Sequence, residues 1–123
     1  MEQYLPNQTD YSCRKNPDNT PLISVIIPAY NADKASTHCL RSVFARTYPN
    51  IEVIFVDDGS SDQTGHIADA VSAKNPQMHI FHIAHHGLAM ARNTGLENAA
   101  GEFIFFMDAD DWIEPDTLQD LYE

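Results

Sequence analysis

Acidic side chains stand at the ends of apolar runs in this sequence: Asp108-Ala109-Asp110 follows Phe103–Met107, and Asp57-Asp58 follows Ile51–Val56. Successive side chains of an extended chain point to opposite faces, so two carboxylates flanking one small residue leave a strand end on the same side. Hard oxygen ligands of this kind suit Mg²⁺ or Mn²⁺. A solvated acidic turn would have the same local sequence. What favours a cation is the place of the pair, at the end of an apolar strand and opposite a second acidic pair, where like charges repel unless something compensates them.

Other polar groups fall at equivalent places. Tyr30, in Pro28-Ala29-Tyr30-Asn31, offers a ring on which a base can stack and a hydroxyl that can hydrogen-bond, although packing explains such a ring equally well. Asp58 is read as accepting hydrogen bonds from a base edge or a ribose, and Asp57 as structural, either capping the following helix or holding the loop. Arg92 is the only Lys or Arg between Lys74 and the C-terminus, so either an anionic phosphate or a neighbouring carboxylate is its expected partner. His85-His86-Gly87 precedes a helical pattern whose first amides suit an anion, and the six histidines lack metal-ligand spacing.

The elements that must position these groups are legible from periodicity. Leu22–Ile27, Ile51–Val56, Met78–Ile83 and Phe103–Met107 are short apolar runs that predict strands, the third more amphipathic than the rest. Cys39, Leu40, Val43, Phe44 and Thr47 recur at helical spacing and predict a helix over 33–46, ended by Tyr48-Pro49-Asn50. Asp57 to Asp62 supplies turn residues and an N-cap for a second helix carrying Ile67, Ala70 and Val71. Leu88, Ala91, Gly95, Leu96 and Ala99 mark a third, closed by Gly101. Strands alternating with helices predict a mostly parallel α/β sheet of about four strands with helices on both faces. In such sheets ligands bind beyond the carboxyl ends of the strands, where all of the candidate groups fall.

Composition narrows the classes further. The 123 residues suit one domain, with 1–20 a polar leader and 21–123 the folded part. A formal charge of −11 disfavours nucleic acid as a partner. No apolar run approaches the ~20 residues of a membrane span, and the leader lacks the features of a secretory signal, which predicts a cytoplasmic location, with peripheral attachment to the inner face of the membrane compatible. Cys13 and Cys39 are expected to be free thiols. The turn after the first strand, Pro28 to Asp33, has no glycine-rich dinucleotide fingerprint. A receiver or aspartyl-phosphatase reading needs an acidic residue where Pro28 stands.

Together, SVIIPAYN (Ser24–Asn31), VDDGSSDQT (Val56–Thr64), HHGLAMARNTGL (His85–Leu96) and GEFIFFMDADDWIEPD (Gly101–Asp116) resemble the family 2 glycosyltransferases of GT-A fold, over residues 21–123. The resemblance implies the nucleotide-sugar-binding part of an incomplete GT-A domain. Pro28, Ala29 and Tyr30 would line the base pocket, Asp58 would meet the base or ribose, and Arg92 would lie near the diphosphate. Asp108 would face ribose and cation, and Asp110 would ligate Mn²⁺ or Mg²⁺. The implied reaction is inverting transfer from a nucleoside-diphosphate sugar, usually UDP-linked, to a saccharide or lipid-linked acceptor, as in cell-surface polysaccharide synthesis. The general base of that reaction belongs to a later, acceptor-binding half in this family and is expected beyond Glu123. No catalytic residue is therefore assigned within the chain, and Asp111, Glu114 and Asp116 are read as shaping the loop and the next helix. A module that binds the nucleotide without turnover is the alternative. A homo-oligomer is expected if apolar surface such as Phe103–Met107 is left uncovered.

Overall fold

The computed structural model describes residues 20–46 and 48–122, with the side chains of the last two left aside. Residues 1–19 of the expected leader, with Cys13 among them, and Thr47 and Glu123 lie outside these residues. Four strands and four helices alternate: β1 (Ile23–Ala29), α1 (Asp33–Phe44), β2 (Ile51–Asp58), α2 (Thr64–Ser72), β3 (Met78–Ile83), α3 (Leu88–Glu97), β4 (Phe103–Phe106) and α4 (Thr117–Tyr122). The strands form one sheet in the order β3-β2-β1-β4. Every pairing is parallel, with Val25 opposite Val53 and Phe105, and Val53 opposite Met78.

Period-two alternation along the two central strands feeds two cores. Val25, Ile27, Val53 and Phe55 face Cys39, Leu40 and Val43 of α1, Ala68 of α2 and Leu118 of α4. Ile26, Ile54 and Val56 face Ala91 of α3 on the other side. Helices thus cover both faces, as the sequence predicts. A Cβ on Gly95 would lie 2.4 Å from Ile26 Cγ2, so the close seat of α3 depends on that glycine.

The two edge strands differ from the centre. β3 buries fully only Met78, in keeping with its amphipathic pattern. Although the Phe103–Met107 run reads as strongly apolar, β4 pairs only with β1 and leaves Phe103 51%, Ile104 39% and Phe106 41% exposed. The sequence signal reports apolarity, and whether a neighbour covers it is decided by strand order.

Two local expectations are corrected. The N-cap of α2 is Gln63, which makes no side-chain cap bond; Asp62 instead accepts from the Thr64 amide at 2.9 Å and the Asp33 amide at 3.2 Å, tying α1 to α2. Gly101 does not close α3, whose C-cap is Asn98; its amide donates to Ser24 Oγ at 2.8 Å, where a Cβ would meet that oxygen at 2.5 Å. Four elements also end elsewhere than the sequence suggests: α1 at Phe44, β1 at Ala29 rather than Ile27, β2 at Asp58 rather than Val56, and β4 at Phe106 rather than Met107. Among the described residues no helix is long and apolar enough to cross a membrane.

Candidate functional site at the carboxyl ends of the strands

Parallel strands deliver all four carboxyl ends to one rim. Two adjoining clefts open there. The larger, about 590 Å³, is walled by Tyr30-Asn31 after β1, the start of α1, Leu88, and Asp108–Asp110 after β4. The smaller, about 230 Å³, is lined by Pro28, Ala29, Tyr30, Asp58, His85 and Gly87, together with Leu88 and Ala91. Tyr30, 48% exposed, is a shared wall, and its ring stacks on His85 with centroids 4.0 Å apart and planes 23° off parallel.

Asp108, Asp110 and Asp111 each present a carboxylate oxygen within 4.8 Å of the others. The sequence reading placed Asp108 and Asp110 here and assigned Asp111 to the loop. A turn in which the Asp111 amide donates to the Asp108 carbonyl at 3.0 Å brings the third carboxylate back. Ala109 between them is buried, so the small residue faces inward while the acids remain in solvent. Three exposed carboxylates so close repel, and a hard divalent cation matches their donor chemistry. Cys39 of α1 packs beneath them, its Sγ 3.7 Å from the Asp108 carbonyl oxygen. Burial first, then the charges of Asp111, Asp110 and Asp108, push its thiol up to about 12.

The second acidic pair is engaged inside the protein. Asp58, 3% exposed, accepts from the amides of His86 and Gly87 and from His85 Nδ1, each at 3.0 Å. His85 Nδ1 also faces the Asp58 carbonyl oxygen at 3.2 Å, and two acceptors at one nitrogen assign the proton there. Asp58 therefore reaches the small cleft while holding the loop that forms its far wall. Asp57 holds its own turn, as expected: Oδ1 accepts the Ser60 amide at 3.0 Å and Oδ2 faces His82 Nδ1 at 2.9 Å. Burial pushes the Asp57 carboxyl up, and hydrogen bonds from Ser60 and His82 outweigh it, so the net shift is downward.

Asn31 was legible only as a polar neighbour of Tyr30. It adopts φ 49°, a left-handed conformation that Asn tolerates. Its amide donates to Ser60 Oγ at 2.9 Å and its Oδ1 accepts the Ser61 amide at 2.8 Å. The β1 and β2 loops are thereby stitched into one rim. Nothing in local periodicity signals this stitch, because its partners are thirty residues apart.

Arg92 is the site candidate that stands aside. It lines neither cleft; its Nε is buried without a hydrogen-bond partner, and its guanidinium lies 5.6 Å from the centroid of the Phe106 ring. One turn into α3, it is directed along the sheet face toward β4. Pro28, Ala29, Tyr30, Asp58, Asp108 and Asp110 are all brought to the cleft walls. The general base expected beyond Glu123 falls outside the described residues, which end at Tyr122.

Known proteins share both sequence and shape with this chain. It is 42% identical over 101 residues to the glycosyltransferase GlyA of Streptococcus pneumoniae, a match covering 82% of this chain and 14% of the relative. The crystal structure of S. aureus TarS 1-349 in complex with UDP superposes with a TM-score of 0.75 and 37% identity, covering 80% of this chain and 30% of that one. The mannosyltransferase PcManGT from Pyrobaculum calidifontis, in complex with GDP-Man and Mn²⁺, does so with a TM-score of 0.75 and 31% identity, covering 85% of this chain and 32% of that one. The chain thus spans less than a third of each of these proteins. Residues 24–123 match the model for glycosyl transferase family 2. With a parallel sheet shared with GT-A glycosyltransferases and this match over most of its length, the chain belongs to glycosyltransferase family 2.

Proposed function

We propose that this domain binds a nucleoside-diphosphate sugar, UDP-linked, with a divalent cation, and supplies the donor half of an inverting sugar transfer. The observation that carries the reading is the meeting of Tyr30 with the Asp108 and Asp110 carboxylates in the lining of one cleft. In this reading the base lies against Pro28, Ala29 and Tyr30, on a rim fixed by Asp58, and the ribose and diphosphate extend toward Asp108. Asp108 and Asp110, with Asp111 beside them, would hold Mn²⁺ or Mg²⁺, which supplies charge neutralisation of the departing diphosphate. Arg92 reaches the diphosphate only if its side chain leaves Phe106. The acceptor in this reading is a saccharide or a lipid-linked group, and no described residue is assigned as the general base; the described carboxylates that border the larger cleft are Asp33, Asp108 and Asp110. A TarS–UDP complex and a PcManGT–GDP-Man–Mn²⁺ complex of the same fold support a nucleotide and a cation in this place.

The test is calorimetric titration of UDP, with GDP as control, with and without Mn²⁺, on the parent and Asp110→Ala. Metal-dependent UDP binding that Asp110→Ala weakens at least about tenfold is expected, the loss of one charged ligand being worth ~1.5–3 kcal/mol. Equal binding by the variant would remove the cation from the proposed site.

A further inference from the structure

His82, half exposed on the α2-covered side of edge strand β3, has no part in the function proposed above. Both of its ring nitrogens face carboxylates: Nδ1 lies 2.9 Å from Asp57 Oδ2 and Nε2 lies 3.0 Å from Asp69 Oδ1. A neutral imidazole carries one N–H, and an ionised carboxylate only accepts, so a neutral ring would leave one contact without a proton. Only the imidazolium satisfies both. The fit is shaped by α2, because a Cβ on Gly65 would lie 2.8 Å from Asp57 Oδ2 and 3.3 Å from His82 Cε1.

From Asp57 the contacts run into the cleft wall. Asp57 Oδ1 takes the Ser60 amide, Ser60 Oγ takes the Asn31 amide, and Asn31 adjoins Tyr30. Gly59, at φ 70°, is pressed against the other wall, where an added Cβ would sit 2.6 Å from the His85 amide nitrogen. The 57–61 turn is therefore a wedge between the Tyr30 and His85 segments, and its outer anchor is His82.

We propose that His82 is a positioning residue for the donor cleft: as an imidazolium bridging Asp57 and Asp69 it holds the 57–61 turn against Asn31, so that its protonation state tunes nucleotide affinity. This rests on the proposed donor site. The charged groups facing the ring are Asp57 from β2 and Asp69 from α2. The hydrogen bond to Asp57, then that to Asp69, holds the His82 pKa above its ordinary value against the opposing effect of burial. A raised histidine pKa makes the clamp complete below ~6.5, the unfolded value, and releases it as pH rises through the folded value. The lowered Asp57 pKa sets the other limit: its contribution is present above ~3.8–3.9 and is lost as pH falls through the folded value. The ring is about half exposed, so solvent screens the effect and keeps it modest.

The experiment follows UDP affinity with Mg²⁺ from pH 6 to 8.5 for the parent and His82→Gln, taken as a ratio so that pH effects common to both proteins cancel. The parent is expected to bind about threefold or more tightly at pH 6, with the ratio approaching one at high pH. In parallel, nitrogen NMR of the His82 ring should show both nitrogens protonated at pH 6, and Asp69→Asn, an exposed change on α2, should lower the titration midpoint. A ratio independent of pH, or a ring with a single proton at pH 6, overturns the proposal. Should His82→Gln fail to fold, Asp69→Asn carries the same comparison. If UDP binds to no form, the donor-site reading fails by itself, and the ring titration with the Ser60 and Asn31 amide shifts still decides whether the clamp exists.

Discussion

Asp58→Asn separates a residue that touches ligand from one that builds the site. The wild-type carboxylate receives three donors, with Oδ1 taking His86 N and Oδ2 taking both Gly87 N and His85 Nδ1. An amide of the same shape has one oxygen, so either orientation turns its NH₂ toward at least one N–H. A hydrogen bond to a charged group contributes ~1.5–3 kcal/mol, and an orphaned buried donor costs ~1–3 kcal/mol. Allowing for relaxation of the exposed His85 ring, Asp58→Asn should lose roughly 2–3 kcal/mol of stability with no nucleotide present. At a urea m-value of about 1.5 kcal/mol/M the midpoint then falls by about 1.3–2 M. The assay is urea unfolding of both proteins followed by circular dichroism without ligand. Asp110→Ala is the control, since its exposed carboxylate leaves a repulsive cluster and stability should hold or rise. A shift under about 0.3 M for Asp58→Asn would refute the reasoning and return Asp58 to the role of a ligand contact alone.

Two further outcomes follow from packing. Gly95→Ala should gain ~1 kcal/mol of helix propensity but place its methyl 2.4 Å from Ile26 Cγ2 in a fully buried core, where overpacking costs ~1–3 kcal/mol. A net loss of about 1 kcal/mol is expected, relieved in an Ile26→Ala background, and urea unfolding of the four-protein cycle measures it; a more stable Gly95→Ala protein would contradict the close seat of α3. Cys39, fully buried with its thiol pushed up to about 12, should resist an aromatic disulfide reagent at pH 8 in a Cys13→Ser protein and react at once in denaturant. Rapid labelling of the native form would show that α1 opens beneath the acidic cluster.

Much of the fold was present in local pattern. Ile51–Val56 is apolar at every position but Glu52, which marks a strand covered on both sides, and the 3.6-residue spacing of Cys39, Leu40 and Val43 marks a helix with one buried stripe. Alternation of such segments leaves little choice except a parallel sheet, and a parallel sheet brings Tyr30, Asp58 and Asp108 to one rim. Family motifs supplied their expected roles. That much is short-range information, carried by spacing along the chain.

Tertiary structure decided what each group on the rim is free to do. Asp57 and Asp58 are adjacent and chemically alike, yet the partners that set them apart come from β3 for one and from the loop before α3 for the other, more than twenty residues away. Arg92 follows the same motif that places His85 at the cleft, but the direction of α3 carries it to Phe106 instead. Asp111 joins the acidic cluster because a turn folds it back, and His82 gains two carboxylates only because β3 lies beside β2 and under α2. Periodicity determines which face a side chain takes; hydrogen-bond partners depend on which strands become neighbours, and that is settled by packing across the whole sheet.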